Sequence, residues 1–440
     1  MSDQKVTIEN KKMTVLGSVP SSWNVARLVQ FSNEELYIKN GFPCGNWNDE
    51  GNGVLQLRPF NITNDGNISL TTQKYIETDK VLDGYLLKKK DIIFNNTNSE
   101  ELVGKTALWF KEDVSAVISN HMTIIRILDE SIFDQTFLAS YLYHLWQIGH
   151  FHKLCRRHVN QASVSIERLK DIAIPYPTLP EQQAIARVLT TVQEAIAGQE
   201  ALIAKLKELK QSMMNHLFTH GTKGEPTQIT EIGEMPESWE VVKLGDIGEV
   251  SYGIQAAVAS LLKPVGYKIL TNKNITLDGD IVYDKINYYE PKTKRELSSF
   301  VGKGDVLLNW RSGSKEHVGK TAIYFGDEKI LHSSFILRIR TNPDKVINKY
   351  LYYYINWLRE TGYFVKLQTY AVNAKFNKSA VLSMDLAVPP IDQQLLMLNA
   401  FDTISTKIEV TTAKLSDYQK LFSVLLHELM SGERRVNKYV

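Results

Sequence analysis

The chain has 440 residues, 43% of them hydrophobic and 23% charged, an ordinary globular composition with room for about two to four domains and no sign of extensive disorder. Its 51 basic and 49 acidic residues leave a formal charge of +2, which excludes a polycationic protein while permitting a local basic face. Two distant cysteines, Cys44 and Cys155, exclude a disulfide framework; with no apolar run near the roughly 18 residues of a membrane span and a polar start from Met1 to Lys12, a soluble cytoplasmic protein is expected.

Taken in chain order, residues 1–12 form a tail and residues 13–177 a first globular unit. The unit opens on Gly17-Ser-Val-Pro20-Ser-Ser-Trp23. Asp91-Ile-Ile-Phe94 and Thr106-Ala-Leu-Trp-Phe110 flank a polar loop and predict a β-hairpin, with a further strand from Met122 to Leu128 and an aromatic-rich helix around Phe137 to Gln147. A basic stretch, His152-Lys-Leu-Cys-Arg-Arg-His158, follows.

After the Pro175-Tyr-Pro177-Thr-Leu-Pro180 break, residues 178–221 read as a long helix. Apolar residues recur in alternating steps of four and three: Ile185, Leu189, Val192, Ile196, then Ile203, Leu206, Met213 and Leu217, polar only at Gln199 and Lys210. That spacing is a coiled-coil seam. Gly221 is the expected C-terminal stop.

Everything then recurs. Gly233-Glu-Met-Pro236-Glu-Ser-Trp239, Val318-Gly-Lys-Thr-Ala322 and Pro390-Ile-Asp-Gln-Gln394 stand 216, 215 and 211 residues beyond Gly17, Val103-Gly-Lys-Thr-Ala107 and Leu179-Pro-Glu-Gln-Gln183. Residues 222–388 form a second unit with its leading linker, with a hairpin from Asp305-Val-Leu-Leu308 and Thr321-Ala-Ile-Tyr-Phe325, a strand from Phe335 to Ile339 and a helix around Lys349 to Arg359. Residues 389–433 repeat the seam as Met397, Phe401, Ile404, Ile408, Leu415, Tyr418, Phe422, Leu425 and Leu429, with Thr411 in the polar place of Gln199 and Gly432 as the stop; 434–440 is a tail. So long a period means duplicated domains rather than a solenoid. The expected fold is α+β: two duplicated α/β units joined by two long helices that pair as an antiparallel coiled coil with pseudo-twofold symmetry. Polar seam residues such as Gln199 and Thr411 would set register, and Asp392 would take the place of Glu181.

Familiar catalytic chemistry is absent from the pattern. Val-Gly-Lys-Thr resembles the end of a phosphate-binding loop, but the glycine required five residues earlier is Ser99 or Ser314. His150, His152, Cys155 and His158 crowd too closely to close a tetrahedron, and the second copy lacks them, so no metal is expected. There is no Asn/Asp-Pro-Pro-Tyr/Phe methyltransferase motif, and Pro343-Asp-Lys345 alone is no nuclease. A non-catalytic chain without cofactor is expected.

The duplicated Glu/Asp-Gln-Gln helix entries, the repeated heptads and Glu231-Ile-Gly-Glu-Met-Pro-Glu-Ser-Trp-Glu-Val-Val-Lys-Leu-Gly-Asp-Ile-Gly248 resemble the specificity subunits of type I restriction-modification systems, over nearly the whole chain. The resemblance implies two target recognition domains, each reading one half of a split double-stranded DNA site, with the helices as spacer. It also implies two modification subunits docked on the helices, restriction subunits in the full complex, and S-adenosylmethionine and ATP on those partners. The framework repeats while the loops differ, so an asymmetric site is expected. Asn and Gln suit adenine edges, and Arg and Lys suit guanine. The candidate readers are therefore Asn96, Asn98, Arg156, Arg157, Asn160 and Gln161 in the first unit and Arg311, Lys315, Lys366, Gln368, Tyr370 and Asn373 in the second. With charge this balanced, weak binding by the chain alone is expected. The competing reading is a coiled-coil scaffold with two protein-binding domains and no DNA role.

Overall fold

A computed structural model describes residues 11–14, 17–43, 46–255, 265–312, 315–370 and 377–436. The chain splits into two compact units, Met1–Glu200 with Lys414–Val440 and Ala201–Ala413.

Runs rich in Ile, Leu and Phe favour extended backbone and are buried on both faces, so they become sheet centres. In the first unit the antiparallel order is Leu36–Asn40, Met122–Ile127, Ile92–Asn95 and Thr106–Leu108. The second unit repeats it with Gly248–Tyr252, Ile336–Thr341, Val306–Asn309 and Thr321–Ile323. Both expected hairpins are present, and the helices Gln135–Gln147 and Asn348–Glu360 pack on the last strand of each sheet. Asp134 caps the first of these helices, accepting from the Phe137 N–H at 2.9 Å. Short ladders join Asn24–Arg27 to Ala173–Tyr176 and Glu240–Lys243 to Asp385–Val388, bringing together the beginning and end of each globular part.

Even the ion pairs repeat. Arg126 holds Asp91 through two bonds of 2.7 and 2.6 Å, and Arg340 holds Asp305 at 2.6 and 2.7 Å. Both carboxylates are nearly fully buried, so each needs the two-pronged guanidinium to offset its desolvation.

The Val-Gly-Lys-Thr motif has a structural task. Gly104 and Gly319 have φ of +93° and +88°, and a Cβ on either would lie 2.4 Å from a ring carbon of Phe151 or Phe364. The lysine beside each is buried and bonds loop carbonyls: Lys105 donates to Ile62 O, and Lys320 to Asn272 O at 3.0 Å and Ile275 O at 2.5 Å. Burial draws both ammonium groups below their usual range. These lysines satisfy carbonyls in place of phosphate. Replacing either glycine by alanine combines left-handed strain with a clash, and we expect a loss of about 3 kcal/mol or more in denaturant titrations of the full chain. A loss under about 1 kcal/mol would contradict this account.

The long helices span Leu179–His220 and Ile391–Met430, 42 and 40 residues. Gly221 and Gly432, with φ of +66° and +71°, follow their ends in the left-handed conformation that glycine adopts without strain. In the first unit Ile185 and Leu189, early in the central helix, share a core with Phe422, Leu425, Leu426 and Leu429, late in the C-terminal helix. In the second unit Met214 and Phe218, late in the central helix, share a core with Met397, Leu398 and Phe401. The globular helices contribute to the same cores through Phe137 and Leu138, and through Tyr350 and Tyr354. Val192, Ile196, Ile203, Leu206, Met213, Leu217, Ile404, Ile408, Leu415 and Tyr418 are half-buried.

Two sequence expectations need correction. The Thr411 hydroxyl is buried but donates to Lys407 O of its own helix at 2.7 Å, so it bonds within the helix rather than keying a partner. The helix starts also align differently. Gln182 Oε1 accepts from Asp134 N at 3.0 Å while its Nε2 donates to Ile132 O and Pro177 O, both at 3.0 Å. Gln394 makes the same set, with Ile347 N, Lys345 O and Pro389 O, each at 2.9 Å. Gln182 thus matches Gln394, and Glu181 matches Gln393 rather than Asp392. Glu181 is held by Arg435 at 2.6 and 2.8 Å, while Gln393 Oε1 accepts from Trp239 Nε1 at 3.1 Å.

Candidate nucleic-acid interface

In the first unit the structure joins two loops far apart in sequence. Strand Ala162–Ser163 lies between Arg156–Arg157 and Thr97–Asn98 in a three-stranded sheet, with Arg157 opposite Ala162 and Ala162 opposite Asn98. His158 N donates to Gln161 O at 2.7 Å and closes a four-residue turn. Val159, at the tip, is 100% exposed, and Asn160 and Gln161 beside it are exposed too. The result is a narrow ribbon with two arginines at its base and an apolar, amide-bearing tip. A two-stranded β-ribbon fits the major groove, where amides pair with adenine edges, guanidinium groups with guanine, and apolar groups with the thymine methyl.

Successive side chains on a strand point to opposite faces. Arg157 turns to Glu100, forming an ion pair in which the arginine side chain stays 68% exposed and the glutamate 31%. Arg156 is exposed and, among the described residues, pairs with no carboxylate. His152 Nε2 lies 3.0 Å from the same Glu100 oxygen. Beside this cluster an open cavity of about 520 Å3 is lined by Glu100, His152, Asn64, Trp146 and Gln147, among others.

Asn98 is half-buried in the sheet, whereas Asn96 is buried, and its backbone N–H and carbonyl bond His121 O and Val164 N. Among the described residues the Asn96 side-chain oxygen is buried without a hydrogen-bond partner. The crowded His and Cys side chains have other partners. Cys155 Sγ donates to His152 O at 3.3 Å, and His158 Nε2 lies 3.2 Å from Ser163 Oγ. Burial, with Lys153 nearby, pulls the His150 imidazole below its usual range. Among the described residues no three His, Cys, Asp or Glu side chains gather as a metal site.

In the second unit the helix Tyr363–Tyr370 follows the aromatic helix as His150–Leu154 does in the first, with Phe364 set against Gly319 as Phe151 is against Gly104, and the next residues, 371–376, lie outside the described residues. The helix Tyr363–Tyr370 carries exposed Lys366 and, by backbone, Gln368 and Tyr370. Arg311 is exposed, and Lys315 begins the short turn Lys315–His317, which contacts that helix. Asn373 lies outside the described residues. Trp310 anchors this loop, donating from Nε1 to Ser334 O at 2.7 Å and meeting Tyr252 edge-on at 5.5 Å. The sequence did not show that the first of these loops folds as a ribbon.

Val159, Glu100 and His152 were missed as members of the first surface. A second cluster was missed as well: Trp47 is 46% exposed, with Lys74 Nζ 3.6 Å from its ring centroid and the Arg58 guanidinium carbon at 5.4 Å. The only sequence signal for it was a lone tryptophan in a polar loop.

The repeated framework with divergent solvent-facing loops defines a class of duplicated recognition proteins. A profile of the family described as "Type I restriction modification DNA specificity domain" matches residues 32–208 and 236–417. The chain belongs to this family and is a type I restriction-modification specificity subunit with two target recognition domains. It is 27% identical over 435 residues to a Methanocaldococcus jannaschii protein named "Putative type I restriction enzyme MjaX specificity subunit", covering 97% of each chain. It is 24% identical over 431 residues to the MjaVIII specificity subunit of the same organism, covering 95% of this chain and 94% of that one. Its fold is like that of the type I system S subunit from M. genitalium, with a TM-score of 0.56 at 15% identity over 92% of this chain and 96% of that one. A chain solved in work on complex assembly and conformational transition of a type I R-M system aligns with a TM-score of 0.54 at 15% identity, over 94% and 99% of the two chains.

Proposed function

We propose that each recognition domain reads one half of an asymmetric bipartite site in double-stranded DNA, and that the long helices set the gap and carry two modification subunits. The chain is the non-catalytic reader of a cytoplasmic complex. Adenine methylation with S-adenosylmethionine and ATP-dependent cleavage belong to partner modification and restriction subunits. The observation that carries this reading is the Arg156–Ser163 ribbon: its tip exposes an apolar side chain between hydrogen-bonding ones, as suits a major-groove reader. Different readers on a common framework imply different half-sites.

A genome-wide adenine methylation map, with and without this gene and with its modification subunit present, tests the proposal. Loss of one two-part asymmetric motif on deletion is expected. An unchanged map, with modification activity shown to be present, would favour a protein scaffold instead.

A further inference from the structure

We infer that Glu100 is the positioning residue for Arg157, that Arg157 reads a guanine in the first half-site, and that Arg156 holds a backbone phosphate. The inference rests on the ribbon being a DNA reader.

Glu100 is an unexpected neighbour for a DNA-facing surface, because a carboxylate repels phosphate within a Debye length of about 8 Å. Its geometry supplies a reason for it to be there. One oxygen, Oε1, is ion-paired with Arg157 Nη2 and also lies 3.0 Å from His152 Nε2. The turn bearing Glu100 is fastened by Leu102 N and Val103 N, which donate to Ser99 O at 3.1 and 3.0 Å. Glu100 is therefore a fixed point, and it holds Arg157 on one side of the ribbon.

Arginine recognises guanine through two parallel N–H bonds from a rigid planar fork, so an arginine whose fork is held in advance loses less freedom on binding. Nη2 of the guanidinium meets Glu100, and the side chain remains 68% exposed, leaving other donors open to a ligand. Arg156, on the opposite face and unheld among the described residues, has the freedom suited to a phosphate, whose recognition is tolerant of direction.

The test uses the full complex with its modification subunits, mapping the methylated motif and the salt dependence of DNA binding for Arg157→Ala, Arg156→Ala, Glu100→Gln and Glu100→Asp. Arg157→Ala should relax one G·C position of one half-site, with discrimination there falling roughly ten- to hundredfold. Glu100→Gln should relax the same position to a smaller degree, and Glu100→Asp should restore part of it. Arg156→Ala should leave the motif intact, weaken binding to all sequences alike and reduce the salt slope by about one. Because the ion pair is partly exposed, these variants should fold, and a thermal melt checks that they do.

If Arg157→Ala relaxes the motif but Glu100→Gln leaves it unchanged, or only weakens binding uniformly, the positioning role is overturned while the ribbon remains a reader. Relaxation of an A·T position overturns the guanine assignment, and relaxation of the motif by Arg156→Ala overturns the phosphate assignment. If Arg157→Ala and replacement of the 158–161 tip both leave the motif intact, the ribbon is not a reader and the underlying proposal fails with the inference.

Discussion

Inserting one heptad into each long helix, after Gln199 and after Thr411, is expected to lengthen the gap between the two half-sites by about three base pairs while leaving both half-sites unchanged. Seven residues add about 10.5 Å at 1.5 Å per residue, and base pairs are stacked about 3.4 Å apart. A heptad insertion preserves the seam, because the pattern repeats every seven residues. The insertion points lie between the cores at the helix ends, which involve Ile185 and Leu189 with Phe422 to Leu429 in one unit, and Met214 and Phe218 with Met397 to Phe401 in the other. Inserting into one helix alone shifts it against the other and should cost stability, so the paired insertion is the informative one. A methylation map showing an unchanged gap would contradict the spacing role.

Gln394→Leu is expected to lower the stability of the second unit by about 3–5 kcal/mol, and Gln182→Leu to do the same in the first. Each glutamine is fully buried and makes three hydrogen bonds to backbone. Leucine has a similar volume but strands one N–H and two carbonyls away from water, at about 1–3 kcal/mol for each stranded group. The bonds tie the first turn of each long helix to the loop before the aromatic helix, so their loss loosens the joint between spacer and reader. Exposed Gln183, their immediate neighbour in the first copy, supplies the control: Gln183→Leu should change stability by no more than about 0.5 kcal/mol. Equal losses for Gln182→Leu and Gln183→Leu in denaturant titrations would refute the assignment.

The Gln-Gln motif shows how far sequence reading reached. It marked the start of each helix, yet the two copies align by matching letters one residue away from how they align by bonding. Only the shared partners of Gln182 and Gln394 decide the register. The Val-Gly-Lys-Thr motif was likewise visible, and the missing glycine argued against phosphate. Its use of lysine to satisfy Ile62 O and Ile275 O became visible only when segments some 45 residues apart came together. Asn96 stood out because polar loops usually face solvent, but this residue is buried, with its backbone bonded to His121 O and Val164 N.

Residue order alone was enough to reveal the duplication, the hairpin frameworks, the two long helices with their glycine stops, and the segments where the copies diverge. These are properties of local periodicity and of repetition along the chain, and both are written in residue order. Folding brought out that Arg156–Ser163 is a ribbon braced by Thr97–Asn98, that Glu100 pairs with Arg157, and that Thr411 bonds within its own helix. Those outcomes depend on which distant groups meet and on which polar atoms must be satisfied when they do, and burial sets those terms only once the chain has folded.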